Sequence, residues 1–337
     1  MLQVVIAFLW LALLLYLLLG GADFGAGIIE LFTSDKNKNK TTLTMVRTLG
    51  PIWEANHMWL IIVIVILFTG FPEIYSTIST YLHIPLLIML LGIIGRGTAF
   101  AFRHYDAVED NMQIVYNKIF RFSSFITPLF LGIIAGTTVA GTINPHATGF
   151  LDAYIFSWLH FFSVSVGFFT ISICGYLASI FLIGETEKES GRKRYVMKAR
   201  SMNIAAAVTG GIVFITAKWD HVPISKWLFG NAVGLTALSA ALVSLVIQWV
   251  LIKRGKKKII RLLAGFQIAM ILLATTFYHY PKIVLMSDSS YLSLIDNRGH
   301  DKAIQSLALA LLIGSLFILP ALFYLIYSFQ KKSPREL

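Results

Sequence analysis

Asp23 is an acid inside an apolar run, and it stands among glycines in Gly20-Gly21-Ala22-Asp23-Phe24-Gly25-Ala26-Gly27. An ionisable side chain at the centre of a membrane-crossing helix costs about 2.5–3.5 kcal/mol on insertion scales, so it needs a partner or a task. Glycines around it remove bulk and let a neighbouring backbone, or water, reach the carboxylate. The plainer alternative is tight helix packing around an inert, hydrogen-bonded Asp23. A second acid, Glu54, follows Pro51, which is ordinary helix-start chemistry. Glu54 and His57 are nevertheless i,i+3 and share a helix face. Asn56 lies in the same two turns, as do Trp53 and Trp59, which also suit an interfacial belt. Arg96, between Gly95 and Gly97, either reaches the headgroups along its aliphatic stem or pairs with a carboxylate on a closely packed helix. His160 can ligate haem iron or, more ordinarily, hydrogen-bond to a neighbouring helix. No second histidine stands at a matched depth to complete an axial pair. His83 and His279 fall near the ends of apolar runs, where water satisfies them.

The elements that carry these residues are membrane spans. The chain has 337 residues, of which 57% are hydrophobic and only 13% charged, about half the charge usual in soluble domains. With a mean hydropathy of +0.74, so much apolar surface cannot hide in one soluble core. Abundant aromatic and aliphatic residues exclude disorder. A single cysteine, Cys174, excludes an internal disulfide, a multi-cysteine zinc site and a cysteine-held iron–sulfur cluster from this chain alone. Nine runs are long enough to cross a bilayer: Leu2–Phe32, Pro51–Phe71, Ile78–Phe102, Ile119–Gly141, Ala153–Ile183, Met202–Ala217, Trp227–Ile252, Ile259–Tyr280 and Ile304–Phe329. The first and fifth are overlong and must tilt, break or project, and Gly20-Gly21 offers a bend point in the first. The sixth is the weakest, short and rich in Ala and Gly. The expected fold is therefore an all-α integral membrane protein of about nine transmembrane helices. It is a single transmembrane domain over 1–337, arranged as two four-helix groups plus one extra helix, and its short loops attach no soluble domain. The first run lacks a basic leader, so it is read as a span rather than a cleaved signal.

Basic residues set the orientation. Taken over alternate loops and adjoining helix ends, Lys and Arg number 22 on one side and 5 on the other. This places the N-terminus outside and the C-terminus in the cytoplasm. The net charge of +11 thus reads as topology and contact with anionic lipid rather than nucleic-acid binding. The runs Arg192-Lys193-Arg194 and Lys256-Lys257-Lys258 take the same role, and the polar outer loop Pro281–Ala303 carries turn signals. On this topology Asp23, Glu54 and Arg96 share the inner half of the membrane. Two acids and a cation at one depth make a polar pocket open to the cytoplasm, and a carboxylate balanced between desolvation and a cation can exchange protons.

At these residues the sequence resembles subunit II of the cytochrome bd-type quinol oxidases. The resemblance is carried by Gly21 to Gly27 (GADFGAG), Pro51 to Leu60 (PIWEANHMWL), Gly70 to Tyr75 (GFPEIY) and Gly95 to Arg103 (GRGTAFAFR), then by Tyr280 to Val284 (YPKIV), Asp288-Ser289-Ser290 and Leu294 to Asn297 (LIDN). The pieces keep the family's order and the span count agrees; from about Pro145 to Lys258 the match is by hydropathy alone. The resemblance implies a heterodimer of two similarly folded nine-helix subunits in a bacterial or archaeal cytoplasmic membrane. It places two b-type haems, one d-type haem and the quinol-oxidising loop in subunit I, and no haem in this chain. The complex would oxidise quinol, reduce oxygen to water, and build proton-motive force without pumping, with lipid and a small single-helix subunit as further partners. Subunit II would stabilise subunit I and contribute a cytoplasmic proton-uptake path. On this reading Glu54 and Asp23 carry the path and His57, Arg96 and Asn56 support it. Two positions depart from the family: relatives can have an acid where Gly20 stands, and many have one where Ala101 stands. Two rival readings remain at this stage. One is a secondary transporter that binds an ion or small molecule through Asp23, Glu54 and Arg96, although no second copy of the motif is visible. The other is a purely structural subunit.

Overall fold

The computed structural model describes residues 1–34, 41–42, 53–105, 111–185, 189–254 and 257–331. Its elements, in order, are α1 (Leu2–Leu31), α2 (Trp53–Gly70), α3 (Pro72–Tyr81), α4 (His83–Tyr105), α5 (Asn111–Ala140), α6 (Phe150–Tyr154), α7 (Phe161–Glu185), α8 (Glu189–Trp219), α9 (Ile224–Phe229), α10 (Ala232–Lys253), α11 (Lys257–Thr276), β1 (Lys282–Leu285), β2 (Tyr291–Ser293) and α12 (Asp301–Lys331). Eight of the helices are long and apolar enough to cross a membrane, and α2 with α3 makes a ninth candidate bent by 116°. Helices are what the setting demands, because a chain in hydrocarbon must satisfy its backbone groups internally.

Helices α1, α2, α4 and α5 form one group and α7, α8, α10 and α11 the other, while α12 lies against α1 and α2. The core is α7: 78% of its most apolar stretch is buried, against 17–39% in the other single-helix spans. It packs on α5, α8, α11 and the second half of α1. The second group is tied by a buried polar network, in which Tyr176 donates to Gln248 Oε1, Gln267 donates to the same oxygen at 2.9 Å, and Gln248 donates to the Ile260 carbonyl at 2.7 Å.

Several expected spans are redrawn by local chemistry. The second ends at Gly70, because Phe71 leaves helical geometry and Pro72 starts α3, whose first turn tolerates the missing N–H. Ile78 to Leu82 therefore belong to α3 and its cap rather than to the third span. The fifth run splits into α6, a turn and α7, which leaves His160 in the turn before α7 and not inside a span. The seventh splits at Gly230, and the Asn231 side chain caps α10 by accepting from the Gly234 N–H at 2.6 Å. The sixth is far longer than its apolar stretch, since α8 has 31 residues and absorbs Arg192-Lys193-Arg194. The first does not break at Gly20-Gly21; Tyr16–Gly20 forms a π-helical turn, and the helix continues.

Strands occur among the described residues at one end only. There β1 pairs antiparallel with β2 within the expected polar loop, Ile143 bridges to Met286, and the Gly299 N–H donates to the Gly70 carbonyl at 2.8 Å. His83 is exposed there, as expected. His279 is not: it is buried against the Trp227 ring, 4.2 Å between centroids, and burial pushes its pKa down to about 4.

The contact between α1 and α7 yields a direct test. A Cβ on Gly25 would lie 1.9 Å from the Cys174 carbonyl oxygen, a backbone atom that cannot step aside, whereas Gly211 on α8 has nothing within 4 Å. Gly25→Ala should lower the thermal midpoint and the yield of monodisperse protein sharply. Gly211→Ala should be neutral or stabilising by up to about 1 kcal/mol, because a helix interior favours alanine. Equal midpoints for the two variants would contradict this packing.

Candidate functional site

Asp23 and Arg96 meet in the middle of the first helical group. Both are almost fully buried, at 2% and 1% exposure. Arg96 Nη1 lies 2.6 Å from Asp23 Oδ2. Its Nη2 donates to the Asp23 carbonyl at 3.0 Å, and its Nε donates to Ser124 Oγ on α5 at 3.1 Å. The guanidinium also lies over the Phe24 and Phe120 rings, 5.2 and 4.9 Å from their centroids. Pairing, not extension to the headgroups, is thus the fate of Arg96. Low dielectric makes such a pair strong but taxes both charges by desolvation, so removing either partner strands the other.

The glycines around Asp23 serve mainly the helix contacts. Gly25 faces α7, and Gly27 faces Ser124, whose Oγ would be 2.2 Å from an added Cβ. They let α5 and α7 close on α1 and so bring Ser124 to Arg96. Gly20, where relatives can carry an acid, lies under the Tyr16 ring, 3.0 Å from an ideal Cβ. A larger residue there would displace that ring. Ala101, the other departure, is half-buried on α4.

His57 joins the same site from α2. Its Nε2 is 3.8 Å from Asp23 Oδ2, and its ring contacts Phe24 and Tyr16, 5.6 and 6.3 Å between centroids. Asn56 is buried beside it in sequence. Glu54 lies in the first turn of α2, one turn before His57, and its side chain falls outside the described residues. The structure therefore brings Asp23, Arg96 and His57 together, and puts Glu54 on the helix that delivers His57. Tyr16, two turns before Asp23, is buried, and its hydroxyl has no hydrogen-bond partner among the described residues.

A second ionic cluster was not anticipated. Glu30 on α1 is 2% exposed. It accepts from Arg103 Nη2 of α4 at 3.0 Å and lies 3.7 Å from Arg121 Nε of α5. Asp23 and Glu30 are seven residues apart, as are Arg96 and Arg103, so two acid–arginine pairs stack two helical turns apart. Phe120 fills the interval, with Arg103 4.8 Å from its centroid on top of the Arg96 contact. The seven-residue spacing was the signal; Glu30 is masked in the sequence by its place at a span end, and Arg103 and Arg121 by their value as topological charges.

His160 is half-buried at the end of the bundle where α7 begins, the opposite end from His57, which follows the start of α2. Among the described residues no three His, Cys, Asp or Glu side chains gather as a metal site.

Comparison with known proteins places this arrangement in context. A family model described as cytochrome bd terminal oxidase subunit II matches residues 1–329. Cytochrome bd ubiquinol oxidase subunit 2 of Bacillus subtilis (strain 168) is 32% identical over 162 residues, 43% of this chain and 46% of that protein. Cytochrome bd-I ubiquinol oxidase subunit 2 of Escherichia coli (strain K12) is 25% identical over 142 residues, 41% of this chain and 37% of that protein. The matched segment thus spans less than half the length of these two curated relatives. A chain of the bd oxidase structure from Geobacillus thermodenitrificans superposes with a TM-score of 0.77 over 98% of this chain and 99% of its own, at 19% identity. That match speaks for the fold.

The buried pair makes its own prediction. Arg96→Leu leaves a lone carboxylate in low dielectric and should cost about 3–5 kcal/mol, seen as a large fall in thermal midpoint or loss of accumulation. Asp23→Leu combined with Arg96→Leu removes both charges and should recover much of that loss. A single Arg96→Leu variant with the parent midpoint would refute the stabilising role of the pair.

Proposed function

The chain belongs to the cytochrome bd terminal oxidase subunit II family, and we propose that it is the haem-free subunit II of a quinol:oxygen oxidoreductase in a bacterial or archaeal cytoplasmic membrane. Its partner is a haem-bearing subunit I, which it stabilises, and to which it supplies protons from the cytoplasm. Two b-type haems and one d-type haem, held by subunit I, supply electron transfer and oxygen reduction. Two quinols give four electrons and release four protons on the outer side. One oxygen takes those electrons and four protons from the cytoplasm, becoming two waters. Charge is thereby separated without a pump. Lipid and a small single-helix subunit complete the assembly.

This chain's part is the carriage of protons through low-dielectric protein. The observation that supports it is the buried Asp23 carboxylate, paired with Arg96 and 3.8 Å from the His57 ring. Glu54, in the first turn of α2, takes the proton at the cytoplasmic boundary. His57, one turn further along α2 and 3.8 Å from Asp23, can hold or pass a proton at either ring nitrogen. Arg96 keeps an ionised Asp23 tolerable between transfers, so a proton can leave that carboxylate without stranding a bare charge. Buried Asn56 adds a polar amide next to the histidine.

Glu54→Gln keeps shape and hydrogen bonding but cannot titrate. It should slow steady-state quinol oxidation at least several-fold, with haem spectrum and subunit ratio normal. Asp23→Asn should do the same or fail to assemble, since Arg96 loses its counter-charge. Wild-type turnover of Glu54→Gln from about pH 6 to 8, which brackets the ordinary histidine range, would reduce Glu54 to a helix-start acid. The orientation is tested separately: a reporter active only in the cytoplasm should work when fused after Leu337 and fail when placed in the Pro281–Ala303 loop. The reverse pattern would invert the proton route.

A further inference from the structure

We propose that Glu30 is a second carboxylate of the proton route, one step nearer the cytoplasm than Asp23. The inference rests on the proton-uptake reading above and adds a residue to it.

Three observations carry it. First, Glu30 is as buried as Asp23 and repeats its chemistry, since each carboxylate is paired with an arginine of α4 seven residues from the other. Packing alone needs no such repetition: one buried pair already fixes the register of α1 on α4, and a second carries its own desolvation penalty. Second, the space between the two carboxylates is furnished with a hydroxyl. Gly27, midway along the same face of α1, lets Ser124 close in, and Ser124 Oγ accepts from the arginine that holds Asp23. A hydroxyl both donates and accepts, so it can relay a proton across the interval of about 10 Å, with water on either side. Third, Glu30 adjoins a partly exposed side chain: its second cation, Arg121, keeps 16% of its side chain exposed, as does His57 beside Asp23. Glu30 also lies in the last turn of α1 and is followed in the sequence by Lys36, Lys38 and Lys40.

The step is a proton transfer with no other change. Glu30 takes a proton from cytoplasmic water, and Ser124 receives one as it gives up its own. Asp23 is protonated, and Glu30 returns to the carboxylate. Arg103 and Arg121 stay charged throughout and hold the emptied carboxylate in place.

The test uses the intact two-subunit complex. Glu30→Gln should lower quinol:oxygen turnover at least threefold. It should slow proton uptake from the cytoplasmic side in a single turnover by the same factor, with haem content and subunit ratio kept. Glu30→Asp, which retains a titratable group, should turn over faster than Glu30→Gln. Where Glu30→Gln fails to assemble, Glu30→Gln with Arg121→Gln preserves the cluster's net charge and decides by the same two rates. Glu54→Gln, measured in parallel, separates the two ideas. Slow Glu54→Gln with wild-type Glu30→Gln overturns the role of Glu30 alone, and wild-type rates in both overturn the proton route itself.

Discussion

One constraint organises the first half of this protein: a carboxylate and a guanidinium that have left water must stay together. The Asp23–Arg96 pair lies where neither group can reach solvent, so the helices that carry them are held in register. The rest of the local structure follows from keeping that pair satisfied. The third donor of Arg96 needs Ser124, and Ser124 needs the gap left by Gly27. Gly25 lets α7, the most buried of the described spans, close over the other side. The π-helical turn at Tyr16–Gly20 falls just before the acid. Such turns often mark functional sites in helices.

Much of this was legible in the sequence. Glycine-flanked Asp23 and Arg96 each looked too costly for an unpartnered place in lipid, and they proved to be partners. His57 was legible by its spacing from Glu54, though its approach to Asp23 depends on how α2 rotates against α1, which spacing alone does not fix. The glycines were legible as a packing surface, but the helices they would admit were not. Glu30 was hidden for a physical reason. An acid near a span end has a ready explanation in interfacial water, and only the three-dimensional placement of Arg103 and Arg121 removes that explanation. The breaks at Ile155–His160 and Gly230 were missed because the flanking residues are as apolar as a span. Hydropathy sees composition, whereas the break is made by a cap at Asn231 and by the turn that follows α6.

The second half is built on other terms. Its buried network of Tyr176, Gln248 and Gln267 is neutral. A fully paired neutral network fixes helix positions without offering a group that changes charge. The two halves share a four-helix plan but differ in chemistry: among the described residues, the buried acid–arginine pairs lie on α1, α4 and α5. That asymmetry disfavours a transporter, in which matched repeats would each contribute to a central site.

The central claim is that Asp23 gains and loses a proton as oxygen is reduced. Infrared difference spectroscopy of the whole complex, with aspartate carboxyls isotopically labelled, reads this directly during the reaction of the reduced enzyme with oxygen. The account predicts a label-sensitive carboxylic acid band that changes in step with proton uptake. The band should lose its aspartate label when Asp23 is replaced by Glu, a change that keeps the charge opposite Arg96. An aspartate band that persists unchanged in Asp23→Glu, or no carboxyl change at all, would contradict it.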